Sequence, residues 1–238
     1  EAAEPDSVAL ARTYELFGRQ CVGLGKFESG MAVLPKAIAM FEKHLGRPCA
    51  EAITARQVQV SLLSNKRDYR AAADLQSVNL AQAKELYGPE HFQVAVEMVS
   101  LATLWSSIDA TDARVLPIFR DALGIYQRCA ARDPNKASMG AIANLRGSIG
   151  EGLLLRQRYA EAKAELEAAL VECERSFGHV SLPAARILNN LAHAIQPLGD
   201  NAGALAMMEE VIRIIDEVWD REQAERATFD HNLGVMLA

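Results

Sequence analysis

The stretch "QRYAEAKAELEAALVECERSFG" sets Ala162, Leu166, Ala169, Leu170 and Cys173 at spacings of 4, 3, 1 and 3. Apolar residues at that rhythm share one face of an α-helix and leave the other face to polar residues. Four further stretches are amphipathic in the same way: "GKFESGMAVLPKAIAMFEKHLG", "KRDYRAAADLQSVNLAQAKELYG", "TDARVLPIFRDALGIYQRCAARD" and "GDNAGALAMMEEVIRIIDEVWD". Three of the five end in Leu or an aromatic residue followed by Gly: Leu45–Gly46, Tyr87–Gly88 and Phe177–Gly178. Glycine just past a helix is a stop signal, because its backbone enters the left-handed region at little cost.

Between these helices a second feature recurs. A large apolar residue is followed, in most cases, by a small one: Phe17–Gly18, Val58–Gln59, Leu101–Ala102, Ile149–Gly150, Leu191–Ala192 and Leu233–Gly234. The spacings are 41, 43, 48, 42 and 42 residues. Each period therefore reads as helix, short turn, helix. One helix pair cannot bury its apolar face alone, so pairs stack on their neighbours. The small residue lets two helix backbones approach, and the large one fills the groove beside it. The pattern predicts an all-α solenoid, residues 1–238 forming one domain. It has eleven helices, as five antiparallel pairs and a lone final helix, in a right-handed superhelix. Gln59 departs from the small-residue rule. Gly147, Gly150 and Gly152 weaken one first helix, each by about 1 kcal/mol against Ala. The 48-residue spacing puts extra residues around "RDPNKASMG", which marks 130–147 as the expected irregular junction.

The segments "ILNNLAHAIQPLGDNAGAL", "LPIFRDALGIY", "RYAEAKAELEAALVE" and "YGPEHFQVA" make the layout nameable. It resembles tetratricopeptide repeats of the long, kinesin-light-chain-like variety, over nearly the whole chain. That resemblance implies a concave surface lined by the first helices, where Asn side chains bond the backbone of an extended peptide. An amide suits this task, since it offers both a donor and an acceptor.

Composition narrows the partner. The net charge is −6 and no run of Lys/Arg appears, so a nucleic-acid surface is not expected. No apolar stretch reaches the length of a membrane span, and no membrane insertion is expected. The chain opens "EAAEPDS", which reads as a trimmed form or as a mature form without its targeting peptide. The four cysteines, Cys21, Cys49, Cys129 and Cys173, fit no zinc spacing. They read as reduced, packed thiols of an intracellular protein, cytoplasmic or organellar.

No catalytic signature survives inspection. In "GLGKF" the positions that a phosphate-binding loop needs are filled by Gln20 and Phe27. "GSIGEG" lies in a helix rather than after a strand. His91 and His179 sit just after Gly88 and Gly178 and read as turn-stabilising residues. No cofactor, metal or catalytic group is expected. The residues expected to meet a protein or peptide partner are Arg12, Glu15, Arg19, Arg56, Thr103, Glu151, Arg186, Asn189, Asn190, His193, His231 and Asn232. This mixture lacks the cationic clamp with which chaperone-binding relatives grip a C-terminal carboxylate. The expected function is a non-enzymatic scaffold. The alternatives are a structural subunit of a larger assembly or the regulatory arm of a larger protein. The final segment "HNLGVMLA" reads as a first helix with no second helix after it in this sequence, so a partner, a second copy or further residues are expected to cover Leu233, Val235 and Leu237.

Overall fold

The computed structural model describes residues 6–132 and 139–218. Ten α-helices follow one another: α1 (Val8–Gly23), α2 (Phe27–Leu45), α3 (Ala50–Asn65), α4 (Tyr69–Tyr87), α5 (Phe92–Ile108), α6 (Val115–Arg132), α7 (Met139–Leu154), α8 (Tyr159–Phe177), α9 (Leu182–Ile195) and α10 (Asn201–Val218). A 3₁₀ turn, Gln196–Leu198, extends α9. No strand occurs among the described residues. The fold is an all-α stack of helix pairs, as the pattern predicts. The eleventh predicted helix, 231–238, lies outside the described residues.

The chain divides into two compact units, Glu1–Ile118 and Phe119–Ala238, and the division falls within α6. In the first unit α1 to α5 pack each on the next, and α1 also touches α3. In the second unit α7 to α10 do the same, and α7 touches α9.

The small residues do what their spacing implies. A Cβ on Gly18 would stand 2.7 Å from the Leu34 side chain, and one on Gly150 would stand 2.5 Å from the Leu166 side chain. Leu34 and Leu166 hold the same place in their repeats, and both are fully buried. Ala102 and Ala192 are also fully buried. Glycine is thus required at 18 and 150 by close approach of the neighbouring helix.

Capping defines the helix ends. The Ser7, Asp68 and Ser181 side chains accept hydrogen bonds from the amides of Leu10, Ala71 and Ala184, which satisfies donors left open at each N-terminus. His91 does the same with Nδ1, accepting from the Gln93 amide at 3.1 Å, and its ring stacks on Tyr87. His179 lies between Glu174 (2.7 Å) and Glu210 (2.6 Å). Both histidines therefore tie turns, as expected.

The insertion is not confined to the predicted junction. The turn from α5 to α6 takes residues 109–114, whereas α1–α2 and α3–α4 need only 24–26 and 66–68. Asp109 accepts from the Thr111 amide and Asp112 from the Arg114 amide, each at 2.8 Å. The Arg114 guanidinium lies 3.9 Å over the Trp105 ring. Of the predicted junction, 130–147, residues 130–132 end α6 and 139–147 open α7, while 133–138 lie outside the described residues.

Candidate functional site

Successive first helices leave an open groove in each unit. Between α1 and α3 the groove holds about 320 Å³, with Arg19, Val22 and Gly23 on one wall and Thr54, Gln57 and Ser61 on the other. Between α7 and α9 it holds about 380 Å³, with Glu151, Leu154 and Leu155 facing His193, Gln196 and Pro197. Arg19, Val22 and Gly23 have the same repeat positions as Glu151, Leu154 and Leu155. One wall of each groove is thus built from the same repeat positions, whereas the facing walls differ, since Thr54, Gln57 and Ser61 match Ile187, Asn190 and Ala194 of α9.

Glu151 and His193 are the predicted residues brought together in the α7–α9 groove. The Glu151 carboxylate is exposed, and no ion pair joins it to another described residue. His193 is half-buried, and desolvation holds its pKa below the ordinary imidazole value, so it is neutral near pH 7. Leu155 is 51% exposed beside them. The groove therefore combines one free negative charge with an apolar floor.

On α9, Arg186, Asn189, Asn190 and His193 recur at helical spacing along one side. Arg186 donates to Asn144 of α7 at 2.8 Å. The Asn189 amide reaches the Asn190 carbonyl oxygen at 3.5 Å. In the other unit, Arg19 is exposed and bonded to Glu15 at 2.5 Å. Arg12 is exposed, 3.8 Å from Glu51. Thr103 is exposed, and its hydroxyl donates to the Val99 carbonyl at 2.9 Å. His231 and Asn232 lie outside the described residues.

Arg56 requires a correction. It was expected at the groove surface and is instead only 6% exposed. Its guanidinium donates to Glu42 of α2 (2.7 Å) and to Gln82 (2.8 Å) and Asn79 (3.1 Å) of α4. The physical reason is pairing: a buried cation is tolerated where a carboxylate and two amide oxygens take its protons.

Residues that the pattern did not mark also shape these grooves. Gln57 lines the first one and donates to Glu97 of α5 at 2.6 Å. Tyr159, Gln196 and Pro197 line the second. They sit at helix ends, where the helical period that marks a face fades.

Among the described residues no group of His, Cys, Asp and Glu could hold a metal ion, and no helix is long and apolar enough to cross a membrane. Cys21, Cys49 and Cys173 are buried free thiols.

Residues 184–218, which hold all but the first two residues of α9 and the whole of α10, match the tetratricopeptide repeat family model. No curated protein sequence matches the chain. Solved structures do. The kinesin light chain nearly identical TPR-like repeats of Podosopora anserina superimpose with a TM-score of 0.71 at 13% identity, covering 92% of this chain and 100% of that one. BtubC from P. vanneervenii gives 0.67 at 18% identity, covering 99% and 84%. A signal transduction ATPase with a tetratricopeptide repeat sensor, from Pyrococcus horikoshii, gives 0.77 at 13% identity, covering 98% of this chain and 34% of that one. The fold is that of tetratricopeptide repeats in their kinesin-light-chain-like form.

Proposed function

We propose that the chain is a non-enzymatic protein-interaction scaffold that holds an extended segment of a partner against its first helices. The observation that carries this reading is the pair of grooves between successive first helices, α1–α3 and α7–α9, which share the repeat positions of one wall. Structures of this fold serve as supports for interaction, and the grooves are where this chain has surface to offer. The α7–α9 groove takes a basic side chain on Glu151, with an apolar neighbour on Leu154, Leu155 and Pro197. Arg19, at the matching place in α1, is already tied to Glu15, so the two grooves read different side chains.

The test is selection from a displayed library of random extended peptides, followed by titration of the selected sequence. Basic peptides should be enriched. Glu151→Gln should weaken them about two- to fivefold, the scale of one exposed ion pair, and Glu151→Lys should reverse the preference. Asn190→Ala should weaken binding while thermal stability stays within roughly 0.5 kcal/mol. Selected peptides indifferent to both positions would remove the groove reading.

A second reading has one observation behind it. The chain aligns over 98% of its length with a structure that contains a tetratricopeptide repeat sensor, yet covers only 34% of that molecule. On this reading the chain is the sensor arm of a larger protein, and the complete reading frame tests it directly.

A further inference from the structure

We infer that the α1–α3 groove selects a neutral amide group of its partner, and that the buried Glu97 sets this selectivity by holding the Gln57 side chain with its carbonyl oxygen towards the groove. The inference rests on the groove reading above and names the chemistry that one groove takes. Gln57 lines the α3 wall and is half-buried. Its side-chain nitrogen donates to Glu97 Oε1, on α5, at 2.6 Å. The two ends of a glutamine amide have nearly the same shape, so shape alone does not orient it. Here charge does. A carboxylate only accepts, so the NH2 end must face Glu97. The reversed amide would set oxygen against oxygen inside the core, where an uncompensated charge is costly. Glu97 has no freedom to yield. It is fully buried, and it also accepts from Gln93 of its own helix and from Gln76 of α4, each at 2.8 Å.

The rest of the α3 wall has the same polarity. The Thr54 hydroxyl donates to the Ala50 carbonyl and the Ser61 hydroxyl to the Gln57 backbone carbonyl, each at 3.0 Å. Their hydrogens are spent within α3 and their oxygen lone pairs remain. Thr54, Gln57 and Ser61 thus form a row of acceptors, at rises of about 4.5 and 6 Å along the helix. The facing wall has the opposite character. Arg19 only donates, and Glu15 engages one of its nitrogens and balances its charge. Donors on one wall and acceptors on the other fit a group that carries one of each and no net charge, which is an amide. A carboxylate would meet Arg19 but turn its lone pairs on Gln57. A cation would meet Gln57 but face the Arg19 guanidinium. The arrangement is particular to this groove. Asn190, at the place in α9 that matches Gln57, bonds only Asn189, at 3.5 Å, among the described residues. Backbone and side-chain amides share the selected chemistry, and the test separates them.

Two measurements on the full chain test the inference. The first needs no partner. In the proton–nitrogen spectrum the Gln57 side-chain NH2 is identified by its loss in Gln57→Leu. It should exchange with solvent at least about tenfold more slowly than that of the exposed Gln20. Glu97→Gln, which keeps the shape and removes the charge, should speed that exchange; an unchanged rate overturns the positioning role of Glu97. Should this variant not fold, the wild-type rate still decides, since exchange as fast as that of Gln20 overturns the inference. The second measurement uses displayed peptides whose binding is lost on Ser61→Trp, a substitution that fills the groove. In one series each backbone N–H is methylated in turn. In another each Asn or Gln of the peptide is changed to Asp or Glu. One change should weaken binding to wild type about two- to tenfold, the scale of a hydrogen bond, and cost nothing further in Gln57→Leu. Loss in the first series identifies a backbone amide, and loss in the second a side-chain amide. Peptides that need the groove but respond alike in wild type and Gln57→Leu overturn this inference and leave the groove reading standing. If no peptide is sensitive to Ser61→Trp, the reading of this groove falls, and the inference with it.

Discussion

Two of the turns inside the helix pairs are closed by side chains that their backbone disfavours. The residue two places before the second helix is left-handed in four repeats: Gly25 (φ 65°), Arg67 (φ 63°), Gln157 (φ 57°) and Gly199 (φ 94°). Glycine accepts that conformation freely, and Arg or Gln is strained there by about 1–2 kcal/mol. Part of the gain from glycine is returned through the greater freedom of the unfolded chain. Gln157→Gly should therefore stabilise the protein by about 0.5–1 kcal/mol, read from urea unfolding. Two glycines of α7 should respond in opposite senses. A Cβ on Gly147 would meet only Ile187, at 3.8 Å, so Gly147→Ala should gain about 1 kcal/mol of helix propensity. Gly150→Ala drives its methyl into Leu166 and should cost about 1–3 kcal/mol, less that propensity gain. The requirement at Gly150 was legible, because the large–small pairing repeats. The burial of Arg56 was not, because Glu42, Asn79 and Gln82 reach it from other helices and no local pattern announces them.

At the scale of elements, the helices were legible and one connection was not. Amphipathic period and terminal glycines place α2, α4 and α8, since each must bury one face and stop. The α5–α6 turn carries neither Gly nor Pro, and its Asp109 and Asp112 bonds appear only when the chain is folded. Pairs of elements are fastened by titratable groups. His179 joins the end of α8 to α10 through hydrogen bonds to Glu174 and Glu210, which raise its pKa. Arg213 first, and His179 after it, hold Glu210 down at about 2. A histidine whose folded pKa exceeds its unfolded value of about 6.5 stabilises fully below that value. The contribution disappears as pH rises through the folded pKa. Wild type should thus melt at a higher temperature than His179→Ala at pH 6, and the difference should shrink as pH rises through the folded pKa and vanish above it. Salt should reduce the difference, because the group is half exposed. A different fastening joins α3, α4 and α5. The Glu97 carboxylate is fully buried and accepts from Gln57 (2.6 Å), Gln93 (2.8 Å) and Gln76 (2.8 Å). Glu97→Leu strands these donors and should cost at least about 2 kcal/mol in equilibrium unfolding.

Over the whole molecule, stability in a helical stack is close to a sum of repeat and nearest-neighbour terms. A lesion is therefore felt near its own repeat. Gly150→Ala should lower hydrogen-exchange protection in α7 to α10 and leave α1 to α4 near their wild-type values; uniform loss across the chain would contradict this. Such locality brings a hazard. Five helix pairs that resemble one another could dock on the wrong neighbour, since Leu34 and Leu166 offer near-identical knobs to Gly18 and Gly150. The buried Glu97 discriminates against that outcome. Its carboxylate needs amides from Gln57, Gln76 and Gln93 at once, and at the position matching Glu97, α7 and α9 carry Leu145 and Ile187 instead. A foreign helix slid into the second repeat would face an uncompensated carboxylate or an orphaned amide. Glu97 thus works as an address label, penalising shuffled and swapped assemblies during folding in a chain whose hydrophobic code is nearly degenerate.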